Sequence, residues 1–386
     1  MSEPSLMPPA PSLPPAQEPD DPRTAPATRS TGSPGQWELV AGAHEEFLHR
    51  LTDAHQTYLQ VEGARGRAAR SMLVTGASGV VGVELVEQAR RRGWHVVGCS
   101  ARGGNGSVAW RMGEAEPPAE LRRPWTVIVH AAARPRFDLP PDEARAANVG
   151  PLLALAPLVS PRTHLVHVST AYATGLTGGV ESADPGDFRN SYEWSKAEAE
   201  RVASERYGPL TIVRPSIVIG RRSDGAVARF AGPYLLALAF GSGLLREIAG
   251  DPAALIDVVP VCAVAECLLD LAEAPRPDTT RVETVGLGGR APTLAELVNA
   301  SVAAADRWLV EHGAEPLPEI PIVPITTAHE AGPLAPLLPY LSVREPLPVS
   351  RPVTPSPRTT EVCVRWALEN VPGLTKAVTA KEPNNR

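Results

Sequence analysis

The spacing of apolar positions changes along the chain. Between residues 37 and 64, Val40, Phe47, Leu51, Ala54, Tyr58 and Val61 fall on one face at helical spacing, the stripe of an amphipathic helix. From Ser71 onward the pattern becomes short apolar, β-branched runs at 72–74, 95–99, 126–129, 164–168 and 210–213. Helical stretches between them begin near Val80, Pro141 and Asn190. Strands alternating with helices are the signature of βαβ units. The predicted fold class is therefore α/β, a doubly wound, parallel, Rossmann-like sheet. Gly150 and Pro151 predict a break in the second helix.

Proline placement adds domain organisation. The chain has 42 prolines, gathered toward both ends. Residues 1–36, rich in Pro, Ala and Ser, bury too little apolar area to offset chain entropy and are expected to be a disordered tail. Residues 37–68 hold the amphipathic helix, with packing or docking as its two readings, and 69–275 a nucleotide-binding core carrying the catalytic residues. The remainder, 276–386, reads as a smaller substrate lobe, where Thr293-Leu294-Ala295-Glu296 looks like a capped helix start. Within it, the proline-dense stretch 316–357 reads as extended loops lying over a surface, with enough Ile, Leu and Val to pack.

Charge and cysteines narrow the function classes. A formal net charge of −6 without a basic run argues against a nucleic-acid partner. The N-terminus has neither a basic nor an apolar segment of a secretory signal, and the uncharged stretch 230–245 is too short to span a bilayer. Cys99, Cys262, Cys267 and Cys363 lack paired spacing, which suits a reducing, cytoplasmic compartment. Cys262 and Cys267 lie about one helical step apart with no His beside them, so no metal site is expected.

After the first predicted strand comes Thr75-Gly76-Ala77-Ser78-Gly79-Val80-Val81-Gly82, running straight into a helix. Gly76 permits the tight turn, Gly79 lets the backbone approach a pyrophosphate, and Gly82 lets helix and strand pack, with Ser78, Val80 and Val81 presenting backbone at the helix N-terminus. A strand–glycine loop–helix in this order points to a dinucleotide. The second strand ends Cys99-Ser100-Ala101-Arg102, without the carboxylate that reads an NAD ribose. Arg102 suits a 2′-phosphate, so the expected cofactor is NADP(H); the other reading is a surface arginine. His130-Ala131-Ala132-Ala133 follows the next strand, and small Ala131 and Ala132 suit a backbone passing beside the cofactor, or plain buried packing.

Tyr192 and Lys196 sit four residues apart in a predicted helix, on one face. A phenol titrates near 10 in water, and a neighbouring ammonium is expected to favour its phenolate and bring it toward the useful range. The strand before that helix ends His167-Val168-Ser169-Thr170-Ala171-Tyr172, placing a hydroxyl where open α/β sheets bind ligands. Thr170 is expected to hydrogen-bond the reacting oxygen, Tyr192 to exchange its proton and Lys196 to hold the ribose. Ser169 is the alternative hydroxyl, and Tyr172 reads as pocket lining.

From Met72 to about Ala265, the glycine loop, His-Ala-Ala-Ala, the hydroxyl strand, Tyr-x-x-x-Lys and Arg214-Pro215-Ser216-Ile217-Val218-Ile219-Gly220 resemble the extended short-chain dehydrogenase/reductase superfamily. The resemblance implies hydride transfer at a carbonyl or carbinol carbon, with Pro215 and Ile217 beside the nicotinamide. Ser169-Thr170-Ala171-Tyr172 and the run from Gly250-Asp251-Pro252 to Val259-Pro260-Val261 are similar to the fatty acyl-CoA reductase and thioester reductase branch. That implies reduction of an acyl thioester, on coenzyme A or a carrier protein, to aldehyde or alcohol. Two positions depart from the branch: Cys262 stands where Asp is usual, and a Gly-Trp pair after Arg214-Pro215-Ser216 is missing. The alternatives are another extended dehydrogenase or epimerase acting on a free ketone, hydroxyl or sugar, and a non-catalytic NADP-binding scaffold.

Overall fold

The computed structural model describes residues 70–104, 106–229, 247–330 and 335–370. The chain divides into two units, Met1–Gly63 and Ala64–Arg386, of which the first lies outside the described residues. So do the expected tail, the amphipathic helix and the run 230–245.

Twelve strands are present among the described residues. In chain order they are β1 (Ser71–Thr75), β2 (His95–Ser100), β3 (Ser107–Ala109), β4 (Val127–His130), β5 (His164–Val168) and β6 (Thr211–Pro215). Then follow β7 (Ile217–Ile219), β8 (Ile248–Ala249), β9 (Val258–Pro260), β10 (Arg281–Gly286), β11 (Ile322–Val323) and β12 (Arg351–Pro352). Eight form one sheet in the order β12-β10-β6-β5-β4-β1-β2-β3, and all its pairings are parallel. The five strands expected from apolar runs are all in it. β3, β10 and β12 were not: β3 and β12 are too short to leave a pattern, and β10 carries Arg281, Glu283 and Thr284 among its apolar residues. The sheet also runs past the expected boundary at residue 275, because β10 pairs in register with β6 and carries β12 on its other edge.

A parallel strand buried on both faces must send alternate side chains into two cores. On one face Met72, Val74, Val129 and Val168 pack with the helices Val80–Arg91 and Val261–Glu273. On the other, Leu73, Ile128, Leu165 and Ile212 pack with Leu152, Ala199 and Ala203. A third core forms the lobe: Ile248 and Ile256 meet the helices Leu294–Glu311 and Pro357–Asn370 through Leu294, Val298, Trp308 and Val364. The first of these helices opens with the expected capping box, Thr293 Oγ1 accepting from the Glu296 amide (3.2 Å) and Glu296 Oε2 from the Thr293 amide (2.9 Å). The predicted break is also present, one helix ending at Asn148 and a short one starting at Gly150. None of the described helices is long and apolar enough to cross a membrane.

Strand order positions the site. From β1 the chain moves outward to β2 and β3, then returns to β4 on the other side of β1 and proceeds to β5 and β6. The direction reverses between β1 and β4, and ligands of open α/β sheets bind in the crevice at such a point. The loops following these two strands are the glycine loop and the alanine run.

Candidate active site

At the end of β1 the chain turns through Gly76 at φ +68°, a conformation that side-chain-bearing residues rarely adopt. A Cβ there would lie 2.7 Å from the Ala131 carbonyl oxygen, and one on Gly82 would lie 2.1 Å from the Gly76 carbonyl oxygen. The turn, the loop after β4 and the helix start are thus packed backbone to backbone. Gly79 caps the helix Val80–Arg91 without a side-chain hydrogen bond, which leaves the N-terminal amides facing outward. Gly79, Val80, Val81, Gly82 and Ala131 border a cavity of about 490 Å³. This cradle fits a dinucleotide pyrophosphate: small residues, exposed backbone donors and a helix N-terminus. Ser78 shapes the turn, and the Ala132 amide donates to Thr75 Oγ1 (3.3 Å). Arg102 is exposed in the turn after β2, outside the cavity lining.

The parallel register sets Thr75, His130 and His167 side by side across β1, β4 and β5. Thr75 Oγ1 lies 2.8 Å from His130 Nδ1, and the two histidine rings stack with centroids 5.4 Å apart. Burial keeps both imidazoles neutral, holding His130 down at about 3 and His167 well below its ordinary value. His130 Nε2 and His167 Nδ1 are buried without a hydrogen-bond partner among the described residues.

Asn190 starts the helix Ser191–Tyr207 by accepting from the Glu193 amide (3.0 Å). Lys196, one turn in, is 1% exposed; its Nζ donates to the Val168 carbonyl (2.7 Å) and lies 3.4 Å from His167 Nε2. Burial lowers it to about 8, opposed by the Glu200 carboxylate. Tyr192 lines the cavity with Thr170, Ser169 and Tyr172. Its hydroxyl is pushed up to about 12, first by burial and then by the charge of Glu193. This corrects the expected lowering by Lys196, whose ammonium is engaged at Val168. Thr170 Oγ1 accepts from the Tyr172 amide (3.3 Å), whereas the buried Ser169 hydroxyl has no partner among the described residues. Pro215 and Ile217 form the wall where β6 passes into β7.

Away from the glycine loop the cavity becomes apolar, bounded by Ile248, Ile256, Leu294, Val298, Leu341 and Val364 of the lobe. Asp257, 2% exposed, joins lobe to sheet by accepting from the amides of Leu287 (2.9 Å) and Gly288 (2.8 Å). In the stretch 316–357, Ala335–Ser342 forms a tight 3₁₀ turn in place of an extended loop; it buries Leu338, Tyr340 and Leu341, the packing that its apolar residues predict, and brings Tyr340 to the cavity wall. Phe137, Arg189, Glu193 and Tyr340 are the residues that sequence reasoning missed. For Tyr340 the available signal was an aromatic inside the apolar run Leu337-Leu338-Pro339-Tyr340-Leu341.

The family model of the male sterility protein, an NAD-binding domain, matches residues 114–268. Over those residues the chain is similar to a male-sterility-type NAD-binding domain. The domain's match takes in the alanine run, Thr170, Tyr192 and Lys196, and leaves the glycine loop and Tyr340 outside it. Fatty acyl-CoA reductase 2 of Mus musculus is 31% identical over 39% of this chain and 36% of its own length. Fatty acyl-CoA reductase 1 of Xenopus laevis is 30% identical over 43% and 40%, so the chain spans well under half the length of these curated relatives. In structure it is similar to the terminal R domain of the myxalamid PKS-NRPS biosynthetic pathway (TM-score 0.57, 19% identity, 78% of this chain and 90% of that one). It is also similar to a UDP-glucose 4-epimerase of Thermotoga maritima (TM-score 0.56, 17% identity, 78% and 99%). At such identities the structural likeness shows the fold alone.

Proposed function

We propose that this chain is an NADPH-dependent reductase that converts an acyl thioester, carried on coenzyme A or a carrier protein, to the aldehyde or alcohol. The observation that carries the reading is the apolar lobe end of the cavity, which opens beside Tyr192 and Thr170 and suits an acyl chain. A sugar nucleotide would leave its hydroxyls facing Ile256, Leu294 and Val298, with their hydrogen bonds to water lost.

The glycine loop and helix N-terminus would hold the pyrophosphate, and Arg102 the 2′-phosphate that marks NADPH. When bound, NADPH supplies the hydride for the thioester carbonyl carbon. Thr170 donates a hydrogen bond to the carbonyl oxygen and orients it. Tyr192, protonated at neutral pH because its hydroxyl is raised to about 12, delivers its proton to that oxygen as negative charge develops. Lys196, one turn further along the same helix with its ammonium fixed by the Val168 carbonyl, would hold the ribose. The hemithioacetal then expels thiol and leaves the aldehyde; NADPH, one proton and the thioester become NADP⁺, aldehyde and thiol.

The lobe end makes a chain-length prediction that tests this reading. KM is expected to fall as the acyl group of an acyl-CoA is lengthened from acetyl, because each buried methylene contributes about 0.8 kcal/mol. A KM independent of chain length, or turnover of sugar nucleotides in place of thioesters, would contradict it.

A further inference from the structure

We propose that Tyr340 is a positioning residue, a clamp from the C-terminal lobe that fixes Glu193 and through it the start of the helix carrying Tyr192. The inference deepens the reductase reading and rests on it for the reaction concerned.

Glu193 directly follows Tyr192 and is wholly buried. A buried carboxylate persists only where charge and donors meet it. Arg189 Nη1 reaches Glu193 Oε2 at 3.3 Å, and the Tyr340 hydroxyl donates to Oε1 at 2.6 Å. Asn190 Nδ2 donates to the same hydroxyl at 2.7 Å while Asn190 Oδ1 caps the helix. The hydroxyl is therefore used in both directions, as acceptor from the cap and donor to the carboxylate, a double role that a plain core aromatic does not need. The Tyr340 ring meets Tyr172 edge-on at 4.9 Å and Phe137 at 5.9 Å, and Phe137 in turn lies 6.0 Å from Tyr192. One ring from the turn Ala335–Ser342 thus touches the cavity wall, the helix cap and the neighbour of the proton donor.

Charge gives the role a readout beyond folding. Facing Glu193 are Arg189 and Tyr192 from its own stretch, Tyr340 from the lobe, and Tyr172 from the turn after β5, itself under the charge of Asp257. Burial raises the Glu193 carboxyl, and the Tyr340 and Arg189 hydrogen bonds hold it down. Removing the Tyr340 hydroxyl leaves burial less opposed, so Glu193 takes up its proton at higher pH.

The experiment compares wild type, Tyr340→Phe, Glu193→Gln and the double variant. Measured are kcat and the KM for NADPH with an acyl-CoA across pH, and amide hydrogen exchange of residues 189–196. Tyr340→Phe is expected to lower kcat roughly tenfold or more, the scale of a hydrogen bond to a charged group. The KM for NADPH should move less than about twofold, with the acidic limb shifted to higher pH and exchange of 189–196 faster. The double variant should lose no more than the worse single, as for residues acting through one another. Unchanged kcat and limb, or fully additive losses, overturn the proposal even if exchange quickens. If wild type turns over no acyl thioester, the reductase reading fails and the exchange comparison alone decides the clamp: faster exchange in Tyr340→Phe supports it, equal exchange overturns it.

Discussion

Lys196 Nζ donates to the carbonyl oxygen of Val168 at 2.7 Å, tying the helix Ser191–Tyr207 to the end of β5 two residues before Thr170. The bond holds the tyrosine helix and the hydroxyl strand in one geometry, with the neutral His167 ring alongside. It also places an ammonium where burial lowers it to about 8.

A base with a folded-state value near 8, against about 10.4 in the unfolded chain, loses its proton first in the folded state. Turnover is therefore expected to fall on the alkaline side with a midpoint near 8, read from kcat/KM against pH. The stability contribution has the opposite sign. The unfolded chain holds more protons between the two values, so the cost of burying the charge is full below pH 8 and fades as pH rises through that window. Lys196→Arg should shift the alkaline limb to higher pH; an unshifted limb would assign it to another group.

Gly76 and Gly82 should tolerate no Cβ. Alanine at Gly76 combines a left-handed backbone with a Cβ 2.7 Å from the Ala131 carbonyl oxygen, and alanine at Gly82 meets the Gly76 carbonyl oxygen at 2.1 Å. Each is expected to cost at least ~1–3 kcal/mol by denaturant titration and to weaken dinucleotide binding, measured by fluorescence. Wild-type stability and affinity in either variant would show that the loop is not packed as described.

Asp257 predicts a structural loss separable from chemistry. Its carboxylate accepts from two amides of the loop after β10, and Asp257→Ala would strand those buried donors. A cost of about 1.5–3 kcal/mol is expected, seen as a lower denaturant midpoint. A midpoint equal to wild type would mean that another group anchors this loop.

Arg102 is the residue proposed to carry the cofactor choice. With Arg102→Glu, affinity for NADPH should fall roughly ten- to hundredfold, the worth of a charge-assisted contact, while that for NADH holds or improves. Isothermal titration with both dinucleotides reads this directly, and an unchanged ratio would leave Arg102 a surface residue.

The parts of the site legible in the sequence are those carried by local chemistry. Gly76 and Gly82 announce a turn that needs no distant partner to explain it, and Asn190 marks a helix start by its capping side chain alone. The five central strands show as apolar runs because both their faces are buried. What sequence did not disclose depends on which strands become neighbours. The row of Thr75, His130 and His167 exists only through the register of three strands, and Lys196 finds the Val168 carbonyl only because its helix packs beside β5. Tyr340 meets Glu193 at a sequence separation of 147, and no spacing rule reaches that far. β10 hides its place in the sheet because Arg281, Glu283 and Thr284 interrupt its apolar residues.

In the proposed reaction Tyr192 is the proton donor for reduction of a thioester. The most direct measurement follows NADPH oxidation and free thiol together, with a long-chain acyl-CoA, in wild type and Tyr192→Phe. Thiol is expected to be released as NADPH is consumed, with a loss of about 10²–10⁴-fold in Tyr192→Phe and NADPH affinity retained. NADPH oxidation without thiol release, or full activity in Tyr192→Phe, would contradict it.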